Sequence, residues 1–301
     1  MKAYAPGIYP RSDALIQATR DLDRGRTTPA AVAEQCGRDV RELVAAQEQA
    51  GLDLLSDGML DWQDLFRPLA ERSDGLTARP LTRFLDTNTF YRALIVEGEP
   101  KLREPVPAPD LPEERWLGTL PAPNALARAA GGAASAKVLA AKVLALQIDA
   151  WAAAGCALVV LSDPFLVREG GVAEAVPALR ELPDRIPYLL HLPFGDASAA
   201  LEALAEAPVD AVGVDFYATP LESVPEAYPK EIAAGVIDAR SSALEDSTEV
   251  SSFAQRLLEQ KPAGVSLTVN GDLQFVPAPI AREKLVRLGR ARAALTEEVS
   301  A

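Results

Sequence analysis

Short apolar runs alternate with longer helical patterns along nearly the whole 301-residue chain. The runs are bounded by Gly, Pro or Asp, and their apolar positions are consecutive, which is typical of parallel strands buried on both faces. The predicted strands are Ala3–Tyr9, Asp53–Asp57, Trp116–Leu120, Ala157–Ser162, Ile186–Leu192, Ala211–Asp215, Ile232–Asp238 and Gly264–Val269. The predicted helices are Ser12–Arg24, Pro29–Ala50, Ser135–Ala154, Val172–Leu182, Ala197–Glu206, Thr248–Gln260 and Ala281–Ala294.

This order of elements predicts an α/β protein built as one (β/α)8 TIM barrel over residues 1–301, because eight strand–helix units in about 250 residues or more are typical of that fold. The alternative is an open, doubly wound sheet. No Gly-x-Gly-x-x-Gly motif follows the first strand, so the pattern favours the barrel.

The interval from Met59 to Arg115 interrupts the alternation, because it contains no strand–helix unit of normal length. We interpret residues 59–115 as a long insertion after strand 2 that covers the carboxyl-terminal rim, with a β-ribbon near Phe84–Val96. Long insertions in compact domains often serve function, although a surface flap without a catalytic role is the alternative.

Composition narrows the classes of partner. The formal charge of −13 argues against binding to nucleic acid or to an anionic membrane surface, both of which need clustered basic residues. No apolar run is long enough to span a membrane, and the amino terminus lacks a signal-peptide core. Two cysteines, Cys36 and Cys156, fit no zinc-knuckle spacing and indicate a reducing compartment. We therefore expect a cytoplasmic protein with small-molecule substrates.

Polar residues follow most predicted strands, which is where barrel enzymes place their chemistry. His191, the single histidine, ends strand 5, and Asp215 ends strand 6, so we expect the two to approach each other and to act together as a base. Asp163, Asp57 and Asn270 are predicted to join them in one pocket. Asp residues that cap the following helix are the structural alternative.

Six stretches, in order along the chain, resemble the cobalamin-independent methionine synthase superfamily, whose barrels are related to uroporphyrinogen decarboxylase. They are Gly7-Ile8-Tyr9-Pro10-Arg11, Gln47–Gly58, Phe84–Asn88, Ser162–Glu169, Val236–Arg240 and Val269–Leu273. The resemblance implies the barrel fold and a methyltransferase.

The catalytic barrel of that family holds zinc through a His-x-Cys, a Glu and a distant Cys. His191 matches the family's His, but Pro193 stands where the first Cys belongs, Asp215 replaces the Glu, and Asn270-Gly271-Asp272-Leu273 lacks the second Cys. A metal here would have His191, Asp215 and Asp272 as ligands, an oxygen-and-imidazole set that does not favour zinc.

Tyr9-Pro10-Arg11 and the Phe84–Tyr91 stretch resemble the family's other, zinc-free barrel, which binds a folate. Arg11 suits a folate carboxylate, and Trp62, Phe90 and Tyr91 offer aromatic faces. Ordinary core packing is the alternative for Trp62 and Phe90. The candidate residues for binding substrate or methyl donor are Tyr9, Arg11, Asp57, Asp61, Trp62, Asp64, Asn88, Tyr91, Asp238, Arg240 and Asn270. Asp163 is the candidate for holding a substrate ammonium group.

The favoured hypothesis is a methyltransferase that moves a methyl group from methyl-folate or methylcobalamin to a thiol such as homocysteine. A second hypothesis is a non-catalytic barrel, or one that depends on a partner such as a second methionine-synthase-like or corrinoid protein. The third is a metal-free lyase or decarboxylase on the same fold, because fold alone does not fix function.

Overall fold

The computed structural model describes residues 1–85 and 89–299 of the chain. Within them, six parallel strands form one sheet in the order β3-β4-β5-β6-β7-β8, and β1 and β2 form a separate antiparallel hairpin. The strands are β1 (Ser73–Arg83), β2 (Phe90–Leu102), β3 (Trp116–Pro121), β4 (Cys156–Ser162), β5 (Tyr188–Leu192), β6 (Ala211–Asp215), β7 (Glu231–Ile237) and β8 (Gly264–Val269). The helices are α1 (Asp13–Asp23), α2 (Pro29–Ala50), α3 (Arg67–Glu71), α4 (Pro123–Ala129), α5 (Ala136–Leu139), α6 (Ala145–Ala153), α7 (Leu166–Glu169), α8 (Val172–Leu179), α9 (Ser198–Leu204), α10 (Ser247–Glu259) and α11 (Ala278–Val299).

The predicted α/β class and the six later strands are confirmed. Ala211–Asp215 and Gly264–Val269 have the predicted bounds, and the other four begin or end within two residues of them. Helix α2 also has its predicted bounds. The Thr28 hydroxyl caps its first turn, Pro29 occupies the first helical position, and Gly51 ends it in the left-handed conformation.

Two apolar clusters lie on opposite faces of the parallel sheet. The larger one packs between the sheet and the helices and includes Val159 and Leu161. The smaller one holds Leu158 and Val160 from the same strand, together with Tyr4, Leu54, Leu117, Leu189, Ala211 and Ala233. Because successive side chains of a strand alternate between faces, the smaller cluster defines an inner face of the sheet.

The first two predicted strands are much shorter in the structure than expected. Ala3–Tyr9 contributes one parallel bridge, Ala3 to Leu267 of β8, and Asp53–Asp57 contributes one, Leu55 to Trp116 of β3. Pro6 has no N–H to donate, and Gly7 at φ 85° turns the chain, so the first ladder cannot continue. The Asp53 amide also donates to the Ala3 carbonyl at 2.9 Å, so these segments link the two edges of the sheet.

The interval 59–115 contains a hairpin that is longer than the predicted ribbon. Strands β1 and β2 pair from Ser73–Leu102 to Arg83–Phe90, with register shifts after Asp74 and after Ala78. The sequence analysis missed β1 because its residues are polar and include Pro80, which a strand excludes except at an edge. Asp86, Thr87 and Asn88 lie outside the described residues.

The predicted helix Ser135–Ala154 is a composite of α5, a π-helical turn at Ala140–Leu144, and α6. Helix α4 was not predicted, because Pro121-Ala122-Pro123-Asn124 reads as a loop although Pro123 suits a first helical turn. Across the described residues, no helix is long and apolar enough to cross a membrane.

Candidate functional site

His191 lies near the carboxyl end of β5, where its backbone is in register with Ser162 of β4 and Gly213 of β6. It is two residues after Leu189 and therefore projects from the inner face of the sheet. A Cβ atom on Gly213 would lie 2.7 Å from Cδ2 of the imidazole. The glycine therefore provides the space in which the ring lies.

Burial makes the imidazole of His191 a neutral group. The residue is 4% exposed, and its Nε2 atom has no hydrogen-bond partner among the described residues. Desolvation lowers the pKa of His191 to about 4, against a smaller opposing effect from the backbone of Val269. A group with this pKa is a weak base for a thiol, so the expected base near neutrality is not supported.

Asp215 contacts Asn270 rather than His191. The Asn270 side-chain amide donates to Oδ1 of Asp215 at 3.1 Å and to Oδ1 of Asp238 at 3.4 Å, and its own Oδ1 atom accepts the Ala239 amide at 2.8 Å. Burial raises the pKa of Asp215, and the hydrogen bond from Asn270 opposes this. Asn270 thus joins the carboxyl ends of β6, β7 and β8.

The proposed metal ligands His191, Asp215 and Asp272 are not brought together. Oδ1 of Asp272 accepts the Ile8 amide at 3.1 Å, whereas Asp215 bonds Asn270 and His191 faces Val269. Within residues 1–85 and 89–299, no group of three or more His, Cys, Asp or Glu side chains is placed to hold a metal ion. With no thiolate near His191 either, the residues present do not fit a zinc site.

Asp163 follows β4 and is fully buried, with all its contacts inside the protein. Its Oδ1 atom accepts the amides of Phe165 and Leu166 at 3.2 and 3.0 Å, and Oδ2 accepts the side-chain amide of Asn124 at 3.0 Å. Burial raises the pKa of Asp163 to about 6, and the Asn124 hydrogen bond opposes the rise. Asp163 therefore positions Asn124 and the loop after β4.

A cavity of about 900 Å³ lies beside this pair, at the carboxyl ends of β3 and β4. Asn124 and Arg128 of α4 form one wall, and Phe165 and Tyr91 contribute aromatic side chains. Arg128 forms an ion pair of 3.3 Å with Glu169 across the cavity. Its size suits a ligand of cofactor dimensions. The remaining lining residues are Ala127, Gly131, Gly132, Ala134, Ser135, Ala136, Lys137, Ala173, Glu174 and Pro177.

A second group, formed by Arg11, Asp57, Asp61 and Trp62, lies after the first two bridging segments. The Arg11 guanidinium donates to the Trp62 carbonyl, and burial lowers the pKa of Arg11 while Asp61 opposes that effect. Asp57, Asp61 and Trp62 line a small cleft, and burial raises the pKa of Asp57 to about 6. These residues lie together, but Asp57 contacts neither Asp163 nor His191 in any hydrogen bond of the described chain.

The other candidates have structural contacts. Asp64 accepts the amides of Phe66, Arg67 and Arg92, so it ties the hairpin to α3. The Tyr9 hydroxyl donates to the Ala278 carbonyl at 3.5 Å. The Arg240 guanidinium lies 5.1 Å from the centre of the Phe194 ring. Asn88 lies outside the described residues.

Sequence reasoning missed Asn124, Arg128, Phe165 and Phe194. The first two lie on the unpredicted helix α4, where Pro123 at a first turn was the available signal. Phe165 lies in the Ser162–Glu169 stretch, of which only Asp163 was predicted to belong to the site. Nothing in the sequence indicates the left-handed conformation of Phe194, because φ above zero is uncommon for aromatic residues.

The similar proteins are named methionine synthase or 5-methyltetrahydropteroyltriglutamate–homocysteine methyltransferase. No protein-family model matches the chain. A methionine synthase of Saccharolobus solfataricus is 24% identical, in an alignment that covers 97% of this chain and 94% of that protein. A 5-methyltetrahydropteroyltriglutamate–homocysteine methyltransferase of Mycobacterium tuberculosis is 32% identical over 79% of this chain. The aligned part is 37% of the mycobacterial protein, so this chain spans little more than a third of it.

Two solved structures share the fold. A B12-independent methionine synthase from Shewanella sp. W3-18-1, in complex with selenomethionine, superposes with a TM-score of 0.74 at 16% identity and 92% coverage of both chains. A putative vitamin-B12-independent methionine synthase from Listeria monocytogenes gives 0.72 at 17% identity, covering 99% of this chain and 98% of that one. At such identities the likeness concerns the fold alone.

Proposed function

We propose that this chain is a methionine-synthase-like barrel and a methyltransferase that moves a methyl group from a methyl-folate to a thiol such as homocysteine. The observation that carries the proposal is the alignment with the Saccharolobus methionine synthase over nearly the full length of both proteins. The predicted barrel, with one domain and a rim insertion, belongs to the same proposal.

The wall of the proposed barrel has eight strand positions. Six are β3–β8, and the other two are the segments around Ala3 and Leu55, whose bridges to β8 and β3 join the edges of the sheet. We place the insertion over the carboxyl-terminal rim. In support, Tyr91 and Phe84 of the hairpin line the same cleft as Ile8 and Asp272. Ile8 follows the segment around Ala3, and Asp272 follows β8.

The cavity after β3 and β4 is the proposed donor site. Tyr91 and Phe165 supply aromatic faces for a pterin ring, and Arg128 and Lys137 supply positive charge for the carboxylates of a folate tail. Asn124 adds an oriented amide, because Asp163 fixes its side chain at 3.0 Å. Asp163 acts as a positioning residue here and not as the ammonium ligand that the sequence suggested.

The proposed reaction forms one bond and breaks one. The substrate sulfur attacks the methyl carbon, the S–C bond forms as the bond between that carbon and the folate nitrogen breaks, and the proton lost by the thiol is balanced by one gained at that nitrogen. Asp57, whose pKa burial raises to about 6, lies in the separate cleft with Asp61 and Trp62 and does not line the proposed donor cavity. The neutral imidazole of His191 can accept a hydrogen bond but holds a proton poorly.

A second candidate function rests on the ligand mismatch. Pro193 and Leu273 stand in the two segments where the family has cysteines, and no metal-holding group forms among the described residues. A thiolate is the competent nucleophile, and the described residues form no group of soft ligands that would stabilise one. A barrel that binds the donor while another protein supplies the thiol chemistry is therefore the alternative.

The test separates binding from turnover. The purified protein is titrated with 5-methyltetrahydrofolate by calorimetry, then incubated with homocysteine and either methyl-folate or methylcobalamin, and methionine is measured by mass spectrometry. Donor binding with methionine formation supports the methyltransferase. Donor binding without methionine formation supports the alternative if methionine forms once a partner protein is added. Loss of binding in Asn124→Ala, but not in the control Arg180→Gln, which lies outside the cavity lining, would assign the donor to the proposed cavity. No binding of either donor would contradict both functions.

A further inference from the structure

Phe194, at the carboxyl end of β5, is held from several sides. It is 4% exposed and adopts φ 59°. Its ring packs edge-on against Phe275, with the centroids 5.3 Å apart, and the Arg240 guanidinium lies 5.1 Å from its centre. Its carbonyl accepts Nε and Nη2 of Arg168 at 3.1 and 3.0 Å. Phe194 thus connects the segments after β4, β5, β7 and β8.

The ring also needs a glycine beneath it. A Cβ atom on Gly271 would lie 2.2 Å from Cζ and 2.5 Å from Cε1 of Phe194, inside any allowed contact distance. Gly271 follows Asn270 just after β8, whereas Phe194 follows β5. The ring therefore extends across the inner side of the sheet, because β5 and β8 are separated by two strands in the sheet order.

The side chain of His191 also extends from β5 towards β8, further from the carboxyl ends of the strands than Phe194. Its imidazole faces the backbone of Val269, two residues before Gly271, and Phe194 comes three residues after His191. Both Nε2 of His191 and Oγ1 of Thr268 are buried without hydrogen-bond partners among the described residues. Phe194 accordingly lies between these two unpaired polar atoms and the carboxyl-terminal mouth of the barrel.

We propose that Phe194 seals the barrel mouth over His191 and thereby determines which molecules reach the barrel interior. In the closed state a thiol or a metal ion cannot contact His191, and a ligand in the neighbouring cavity after β3 and β4 does not reach the imidazole. This inference concerns access and does not depend on the proposed methyl transfer. Phe194 is a specificity-determining residue in this scheme and takes no part in chemistry.

The test uses the fact that His191 is the single histidine of the chain. Diethyl pyrocarbonate modifies neutral imidazole, and the product is read by its ultraviolet absorbance and located by peptide mass spectrometry. Burial already keeps the pKa of His191 at about 4, so protonation cannot slow the reaction near neutrality. We expect wild type to react at least about tenfold more slowly than free imidazole.

Two variants open the seal by different routes. Phe194→Ala removes the ring, and Gly271→Ala keeps the ring but forces it to move, so both should increase the modification rate of His191 at least about tenfold. Phe253→Ala is the matched control, because Phe253 packs on Phe216 elsewhere, with centroids 4.9 Å apart. Circular dichroism and thermal melting confirm that each protein is folded.

Three results would overturn the proposal: rapid modification of wild type, unchanged protection in folded Phe194→Ala and Gly271→Ala, or equal deprotection in Phe253→Ala. If Phe194→Ala does not fold, the comparison of wild type with Gly271→Ala and with a Phe194→Leu variant decides. Leu fills part of the ring's volume, so an intermediate rate supports the seal and an unchanged rate in both contradicts it.

Discussion

Gly213 and His191 occupy adjacent strands in register, and the imidazole lies where the side chain of any other residue at position 213 would be. The missing Cβ would be 2.7 Å from Cδ2 and 3.2 Å from the Cα atom of His191. One glycine on β6 therefore fixes the direction of the chain's single histidine. Because the backbone of His191 is part of the contact, a side-chain rotation alone cannot remove the conflict.

Gly213→Ala should displace the imidazole and destabilise the fold by about 1–3 kcal/mol, the usual cost of overpacking a core. Urea denaturation measures the free energy of unfolding, and NMR of the imidazole reports its displacement. Gly264→Ala is the control, since its Cβ would meet Glu231 at 3.4 Å, an ordinary contact. Equal effects of the two substitutions would show that position 213 has no special relation to His191.

The stability of the protein should depend on pH through His191. Its pKa is about 4 when folded, against about 6.5 when unfolded, so the unfolded state binds more protons between these values. Stability from this group is therefore complete above pH 6.5 and falls by about 3 kcal/mol as the pH decreases to 4.

Buried carboxylates act in the opposite direction over part of the same range. Asp57, Asp163 and Asp272 have pKa values raised to about 6 by burial, so the folded state binds more protons than the unfolded state and stability falls as the pH rises towards 6. The informative quantity is thus the difference between wild type and His191→Gln, measured by urea denaturation from pH 4 to 7. We expect wild type to lose stability relative to His191→Gln as the pH decreases. Parallel curves of the free energy of unfolding against pH would refute the assignment.

Asp163→Ala should destabilise the protein by about 2–3 kcal/mol, because three buried donors lose their acceptor. Asp163→Asn should cost less, since its amide oxygen can still accept the two backbone amides and the Asn124 side chain can turn its own oxygen toward the new NH2 group. Thermal melting compares the two variants. A loss of donor affinity in Asp163→Asn at unchanged stability would show that the orientation of Asn124 matters to the ligand.

The sequence predicted regular elements well where a local signal marked their ends. Helix α2 has Pro29 at its start and Gly51 at its end, and the buried strands β6 and β8 are continuous apolar runs between polar residues. The lengths of the first two predicted strands were overestimated, because apolar composition does not reveal that Gly7 turns the backbone at positive φ.

The candidate site was predicted only as a set of strand ends. Asp163, His191 and Asp215 do lie at the ends of β4, β5 and β6, respectively. Which of them contact each other depends on side chains from distant positions in the sequence. The side-chain amide of Asn124 donates to Asp163, and that of Asn270 donates to Asp215. Burial then shifts the pKa values of the two carboxyl groups. Tertiary packing determines hydrogen-bond partners of this kind, and the spacing of residues along the sequence does not indicate them.

Zinc binding at the end of β5 should be weak. In equilibrium dialysis, we expect the purified protein to take up well below one equivalent of zinc, and His191→Ala should leave that amount unchanged, because no described group of ligands surrounds the imidazole. Elemental analysis by mass spectrometry provides the measurement. One equivalent of zinc in wild type that is lost in His191→Ala would restore a metal site that involves this residue.

The cavity after β3 and β4 should distinguish donors by the length of their acidic tail. Arg128 is 42% exposed at the cavity wall and pairs with Glu169 at 3.3 Å, so it can exchange that partner for a folate carboxylate. Arg128→Gln should weaken binding of a methyl-folate triglutamate about fivefold, or about 1 kcal/mol, and affect the monoglutamate less.

Calorimetric titration with both donors checks this, and Arg180→Gln serves as the control that removes the same charge from a residue outside the cavity lining. The difference between donors should shrink at high salt, because exposed charges are screened. If Arg128→Gln lowers the affinity for both donors equally, the residue acts on the ring or on the shape of the cavity instead. If Arg180→Gln matches it, the effect is one of overall charge, and the tail does not contact Arg128.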